Sequence, residues 1–179
     1  MFTKKLTKRI ILSVLAATSC LVGVGVPTLV KADGGVTLFS GIERPDILSY
    51  HLDFGGQPNN FDRYKLRIAS KKVKKPIKTL IIKYPDYYNG KFDDREGKME
   101  IRANGESLPL KSMQWDKENY QIRFELEEAV PADTGLEAVL HNVRNPFFGG
   151  TYYFHAGALA PDDVPLPLYL GSWIISIDR

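Results

Sequence analysis

The sequence predicts an all-β protein, an antiparallel two-sheet sandwich of immunoglobulin-like layout, and three observations carry that prediction. Apolar and polar residues alternate in short runs such as Asp62-Arg63-Tyr64-Lys65-Leu66-Arg67-Ile68, the pattern of a strand with one face buried. Turn-forming groups, among them Gly55-Gly56-Gln57-Pro58-Asn59-Asn60 and Asn104-Gly105, separate these runs. No long stretch of the mature chain keeps the three-and-four spacing of an amphipathic helix. About nine or ten short strands result, which is the signature of a sandwich or barrel.

Residues 1–32 read as a secretory signal peptide that is cleaved ahead of Asp33. Lys4, Lys5, Lys8 and Arg9 form a basic start, an uncharged apolar run extends from Ile10 to Val26, and Val30-Lys31-Ala32 offers slim residues at the cut. The run approaches the length of a membrane span, but Gly23, Gly25 and Pro27 interrupt it, so contact with the membrane is expected only through this segment before cleavage. Residues 33–179 then form a single domain. The leader holds five of the 24 basic residues and no acids, which leaves 19 basic against 21 acidic side chains and a net charge of −2 rather than +3. The alkaline whole-chain pI belongs to the leader, and no attraction to nucleic acid follows from it. Cys20 leaves with the leader, so a hydrophobic core must hold the mature chain without disulfides. The compartment expected is secreted or periplasmic.

Along the mature chain, Val36 to Phe39 opens the series of strands. Tyr50, Leu52 and Phe54 are expected inward in the next, with His51 and Asp53 outward. Residues 62–68 bury Tyr64, Leu66 and Ile68 beneath an outer row of Arg63, Lys65 and Arg67. A further strand ends at Tyr84-Pro85, with Leu80, Ile82 and Tyr84 inward, and another carries Met99 and Ile101 into the Asn104-Gly105 turn. Ser107 to Leu110 pairs back from that turn, and Pro109 marks it as an edge. Ile122, Phe124 and Leu126 face inward from the strand of residues 120–126. Leu136 to Val143 and Thr151 to His155 read as the arms of a β-hairpin with Asn145-Pro146-Phe147-Phe148-Gly149-Gly150 as an aromatic tip, Tyr152 and Phe154 inward, and Tyr153 and His155 outward. A proline-rich connection, residues 161–167, leads to a last strand with Trp173, Ile175 and Ile177 in the core.

Several motifs stand in this order: Tyr50-His51-Leu52-Asp53-Phe54-Gly55-Gly56, Asp62-Arg63-Tyr64 to Arg67, Tyr84-Pro85-Asp86-Tyr87-Tyr88-Asn89-Gly90-Lys91-Phe92-Asp93, Gly149-Gly150-Thr151-Tyr152-Tyr153-Phe154, and Asp163-Val164-Pro165-Leu166-Pro167 followed by Tyr169-Leu170-Gly171. Together they resemble a family of exported cyanobacterial proteins known only as a domain of unknown function. The resemblance implies cyanobacterial origin and export, and it transfers no catalytic or binding residue.

The candidate binding residues fall in two groups. Tyr87, Tyr88, Phe147, Phe148 and Tyr153 offer rings that could stack on sugars, set against the demand of a sandwich core for the same side chains. Lys71, Lys72, Lys74 and Lys75 form an acid-free basic run suited to an anionic envelope polysaccharide, set against the ordinary role of such runs as solvated loops. The function these favour is a non-enzymatic module that binds or scaffolds an envelope glycan or an envelope protein, with no cofactor.

Two alternatives stand beside it. A glycan-active enzyme would use Asp86, Asp93 and Asp94 near the aromatic loop, although no recognisable nucleophile motif or phosphate loop is present. A periplasmic metal-binding protein would use His51, His141 and His155, two of which fall on the arms of the expected hairpin, although none has the short spacing that preforms a site. The loop from Asp86 to Glu96 is acidic but lacks the ligand spacing of a calcium loop.

Overall fold

The computed structural model describes residues 41–161 and 167–178. The expected leader, the strand at Val36 to Phe39 and most of the proline-rich connection lie outside the described residues. Eleven strands form among those described: β1 (Ile47–Leu48), β2 (Tyr50–Leu52), β3 (Phe61–Ile68), β4 (Ile77–Lys83), β5 (Met99–Ala103), β6 (Glu106–Ser107), β7 (Leu110–Asp116), β8 (Gln121–Val130), β9 (Leu136–Arg144), β10 (Gly150–Leu159) and β11 (Leu168–Ile177). They make two sheets. One has six strands in the order β1-β11-β10-β4-β8-β7, and the other has five in the order β2-β3-β9-β5-β6. Only the short β1 runs parallel to its neighbour, β11.

Alternation places the core between the sheets. Tyr64, Leu66 and Ile68 of β3, Ile122, Phe124 and Leu126 of β8, and Trp173, Ile175 and Ile177 of β11 are all buried. The outer row of β3 is held by carboxylates, with Arg63 and Lys65 on Asp53 at 3.1 and 2.9 Å and Arg67 on Glu137 at 2.7 Å. Truncating one of the fully buried rings, such as Phe154, would cost about 3–5 kcal/mol.

Three expectations are corrected. Residues 140–155 are not a hairpin: β9 pairs with β3 and β5, whereas β10 pairs with β4 and β11, so the segment between them crosses from one sheet to the other. The two arms alternate as expected, but they are not each other's neighbours. Phe54 does not face inward, because β2 ends at Leu52 and the chain turns away, leaving Phe54 exposed beneath the Arg63 guanidinium at 5.9 Å. Ser107 pairs back from the Asn104-Gly105 turn, but Leu110 does not continue that strand; beyond Pro109 the chain enters β7 at the edge of the opposite sheet. β7, with Met113 and Trp115 half-buried against the core, is an element that the sequence reading does not include.

Position 62 is inward by the alternation of β3, and the residue there is a carboxylic acid. Asp62 is buried and accepts three backbone N–H bonds, from Arg63 at 2.7 Å, Phe54 at 2.9 Å and Gly56 at 2.8 Å. The turn after β2 is therefore wrapped around one carboxylate. Gly56 has φ +67, and a Cβ there would sit 2.8 Å from Leu52 Cδ1 and 3.2 Å from the Ser176 carbonyl oxygen, so the turn favours glycine. Asp62→Ala leaves these donors without their acceptor and is expected to cost about 3 kcal/mol in denaturant unfolding, while Asp62→Asn, which keeps one acceptor oxygen, costs less. Equal stability of wild type and Asp62→Ala would contradict this assignment.

Candidate functional site

The crossing segment between β9 and β10 emerges at the end of the sandwich where β3 begins and β11 finishes, since Phe61 pairs with Arg144 and Gly150 with Ile177. Backbone groups leaving one sheet and not yet in the other have no ladder partners, and each must find another. Asn145, itself buried, is where three of these bonds converge. Its Oδ1 accepts the Tyr64 hydroxyl at 2.6 Å, its Nδ2 donates to the Gln57 carbonyl at 2.8 Å, and its backbone N donates to the Asn60 carbonyl at 2.9 Å. Asn59 N in turn donates to the Pro146 carbonyl at 2.8 Å. On the other flank Phe147 N donates to Asn89 Oδ1 at 3.1 Å. Three loops, residues 53–60, 84–92 and 145–149, are thereby tied into one end.

Beneath this end lies a bed of rings. Tyr84, Tyr88, Phe92 and Phe154 pack with centroids 5.0–6.3 Å apart. The Trp115 indole donates to the Tyr84 hydroxyl at 2.7 Å, and the Tyr64 and Tyr88 hydroxyls meet at 3.1 Å. Tyr152 joins bed and tip: its ring stacks on Tyr87 at 5.8 Å and its hydroxyl donates to the Phe148 carbonyl at 3.0 Å. Above the bed Phe147 and Phe148 stand 62% and 68% exposed, edge to face at 5.1 Å, with Tyr87 57% exposed. Gly149 lets the segment close on β11, since a Cβ there would lie 2.9 Å from the Ile177 carbonyl oxygen.

The structure thus brings Tyr87, Phe147 and Phe148 together at one end. Tyr88, one residue from Tyr87, is 4% exposed and belongs to the core, because the Tyr88 N to Pro85 carbonyl bond turns its ring under the tip. It cannot meet a ligand. Tyr153 faces outward from β10, three residues into the six-stranded sheet. Lys71, Lys72, Lys74 and Lys75 follow the far end of β3, roughly 25 Å away by strand length. There Val73 is buried, Lys72 pairs with Asp46 at 2.6 Å and Lys74 approaches Asp133 at 3.6 Å, so the run is tied to its own domain at several points.

Two further exposed rings flank the tip: Phe61 beneath the Arg144 guanidinium at 5.8 Å, absent from the expected strands, and Phe54, expected inward, beneath Arg63. Phe61 had a signal, the outward parity it shares with Arg63 and Lys65.

The acidic and histidine groups are placed differently from the alternatives they suggested. Asp93 is bonded by Arg95 at 2.6 and 2.8 Å and by Asn142 at 2.8 Å, which holds its carboxyl well below the usual carboxylate range and unfit to donate a proton near neutrality. His141 meets Glu100 at 3.2 Å on the five-stranded sheet, while His155 meets Ser172 at 2.6 Å on the six-stranded one, so the two are not cross-strand neighbours. Among the described residues no three His, Cys, Asp or Glu side chains gather around a common point.

Fold and surface together define an immunoglobulin-like β-sandwich that carries a fixed aromatic tip. The chain belongs to the family described as Protein of unknown function (DUF2808), whose model matches residues 36–177. No curated protein matches it. Solved structures similar to it in fold include BslA, a bacterial hydrophobin (16% identity, 74% of this chain and 97% of that one, TM-score 0.49). A collagen-binding domain from a Staphylococcus aureus adhesin is also similar (10% identity, 74% and 97%, TM-score 0.44). So is an uncharacterized immunoglobulin-like protein from Nocardia farcinica (6% identity, 74% and 99%, TM-score 0.41).

Burial pushes the phenols of Tyr64, Tyr84, Tyr88 and Tyr152 above their ordinary value near 10. A pKa raised in the folded state stabilises the fold fully below the unfolded value and loses that contribution as pH rises through the folded one. Stability should therefore fall above about pH 10, with these four phenols ionising as the fold opens. Absorbance titration alongside far-ultraviolet dichroism checks this; ionisation of all nine tyrosines near pH 10 with the sheets intact would contradict it.

Proposed function

We propose that this protein is an exported, non-enzymatic binding module that engages an envelope glycan through the aromatic tip formed by Tyr87, Phe147 and Phe148. One observation carries the reading: two adjacent phenylalanines stand mostly in water on a segment whose backbone is bonded on both flanks. Exposing two such rings forgoes the burial of an apolar side chain, worth about 1.5–3 kcal/mol each. Fixing them beforehand removes the ordering cost that a mobile loop would incur on binding. Rings presented in this way suit the apolar faces of sugars, and the neighbouring Asn89 and Asp86 are exposed beside them as partners for hydroxyls. The ties of Asp93 to Arg95 and Asn142 remove that residue as the proton donor a glycosidase needs.

Titration calorimetry of residues 33–179 against a panel of soluble bacterial envelope polysaccharides and neutral oligosaccharides tests the proposal. At least one should bind, and the double variant Phe147→Ala/Phe148→Ala should weaken it tenfold or more, or about 1.4 kcal/mol. Both side chains being exposed, melting of the variant should match wild type within a few degrees. Absence of binding across the panel, or equal binding by the variant, overturns the reading.

A further inference from the structure

A second feature lies on the outer face of the six-stranded sheet, well away from the tip. Where β10 bulges between Ala156 and Gly157, a hollow of about 200 Å³ opens, lined by Ile81, Lys83, His155, Gly157, Pro167 and Tyr169 among others. Its described wall holds an ammonium and an imidazole but no carboxylate.

Beneath it, buried Ser172 is bonded on both sides, to His155 Nδ1 at 2.6 Å and to the Tyr169 hydroxyl at 2.7 Å. With neutral imidazole this relay has two orientations. If Tyr169 donates to Ser172 and Ser172 to Nδ1, the ring proton resides on Nε2. If Nδ1–H donates to Ser172 and Ser172 to Tyr169, the phenol O–H is the hydrogen left free to donate. Either way one donor hydrogen is left over, on a side chain that lines the hollow. Burial, followed by the neighbouring Lys83, keeps the imidazole below its ordinary range and thus uncharged near neutrality, so Lys83 supplies the positive charge.

We propose that the hollow formed by Lys83, His155 and Tyr169 is a subsite for the anionic group of an acidic sugar, a carboxylate such as that of a uronic acid. The Lys83 ammonium pairs with the carboxylate, the relay donates a hydrogen bond to it, and the half-exposed Tyr169 ring packs against the sugar face. Tyr153 projects outward two residues before His155 on β10, about 7 Å along the strand, as a second ring for the adjoining sugar. The sugar assignment rests on the reading of the protein as a glycan binder; the anion site itself rests on the hollow.

The test is a titration of 15N-labelled protein with galacturonate, galactose and sodium sulfate, following the His155 ring and melting temperature. Galacturonate should shift the His155 signals saturably and raise the pH at which the ring protonates, because a bound anion favours the charged imidazole. Galactose should do neither. Lys83→Met should weaken the effect at least tenfold without altering the melting temperature of the free protein. Phe147→Ala/Phe148→Ala should leave it intact, so failure here is distinct from failure at the tip. Galacturonate acting no better than galactose, or equally on Lys83→Met, overturns the site. Equal responses to sulfate and galacturonate overturn the sugar assignment.

Discussion

The side-chain amide of Asn145 is the interaction on which the tip of this molecule depends. A chain that leaves one sheet for the other must cross a gap in which neither ladder serves it, and here a buried amide opens the crossing, with Asn59, Asn89 and Tyr152 bonding the backbone that follows. Asn145 receives the Tyr64 hydroxyl from below and donates to the Gln57 carbonyl beside it, so that core, turn and crossing segment meet at one residue. The Tyr64 hydroxyl also meets that of Tyr88, which extends the link into the bed of rings. Because the polar groups are satisfied at this point, the two phenylalanines that follow are free of any structural task. They stand in solvent on a backbone that is already committed.

The same end is anchored a second time by Asp62, whose carboxylate gathers the turn carrying Gly56 and Phe54. That turn supplies the Gln57 and Asn60 carbonyls which Asn145 uses. Two buried polar side chains therefore share one assembly, and neither could be replaced by an apolar residue without leaving backbone donors or acceptors unmet in a dry interior. Buried polar groups of this kind are costly unless fully bonded, which is why a loop built on them has a narrow choice of conformations.

Much of the architecture was legible because alternation records burial directly. Tyr64, Leu66 and Ile68, or Ile122, Phe124 and Leu126, could face only one way once a sheet was assumed, and they do. The pairing of strands was less legible. β9 and β10 alternate in the same manner whether or not they are neighbours, and the short segment Asn145 to Gly149 suits a hairpin as well as a crossing, so the period carries no information on which it is. Phe54 had the right parity but stood one turn beyond its strand. Tyr87 and Tyr88 show the limit most clearly: adjacent and chemically identical, they part because one backbone bond to Pro85 turns the second inward. Asp62 carried a signal that alternation alone does not interpret, an acid at the inward parity of Tyr64 and Leu66, and its burial was not among the expectations.

If the tip is a platform fixed before any ligand arrives, its backbone should be as rigid as the sheets that flank it. Amide 15N relaxation at Phe147 and Phe148 in the free protein measures this most directly. Order parameters of roughly 0.85, matching β9 and β10, are what the Asn145 and Asn89 bonds require; values below about 0.6 would mean a loose loop and contradict the account.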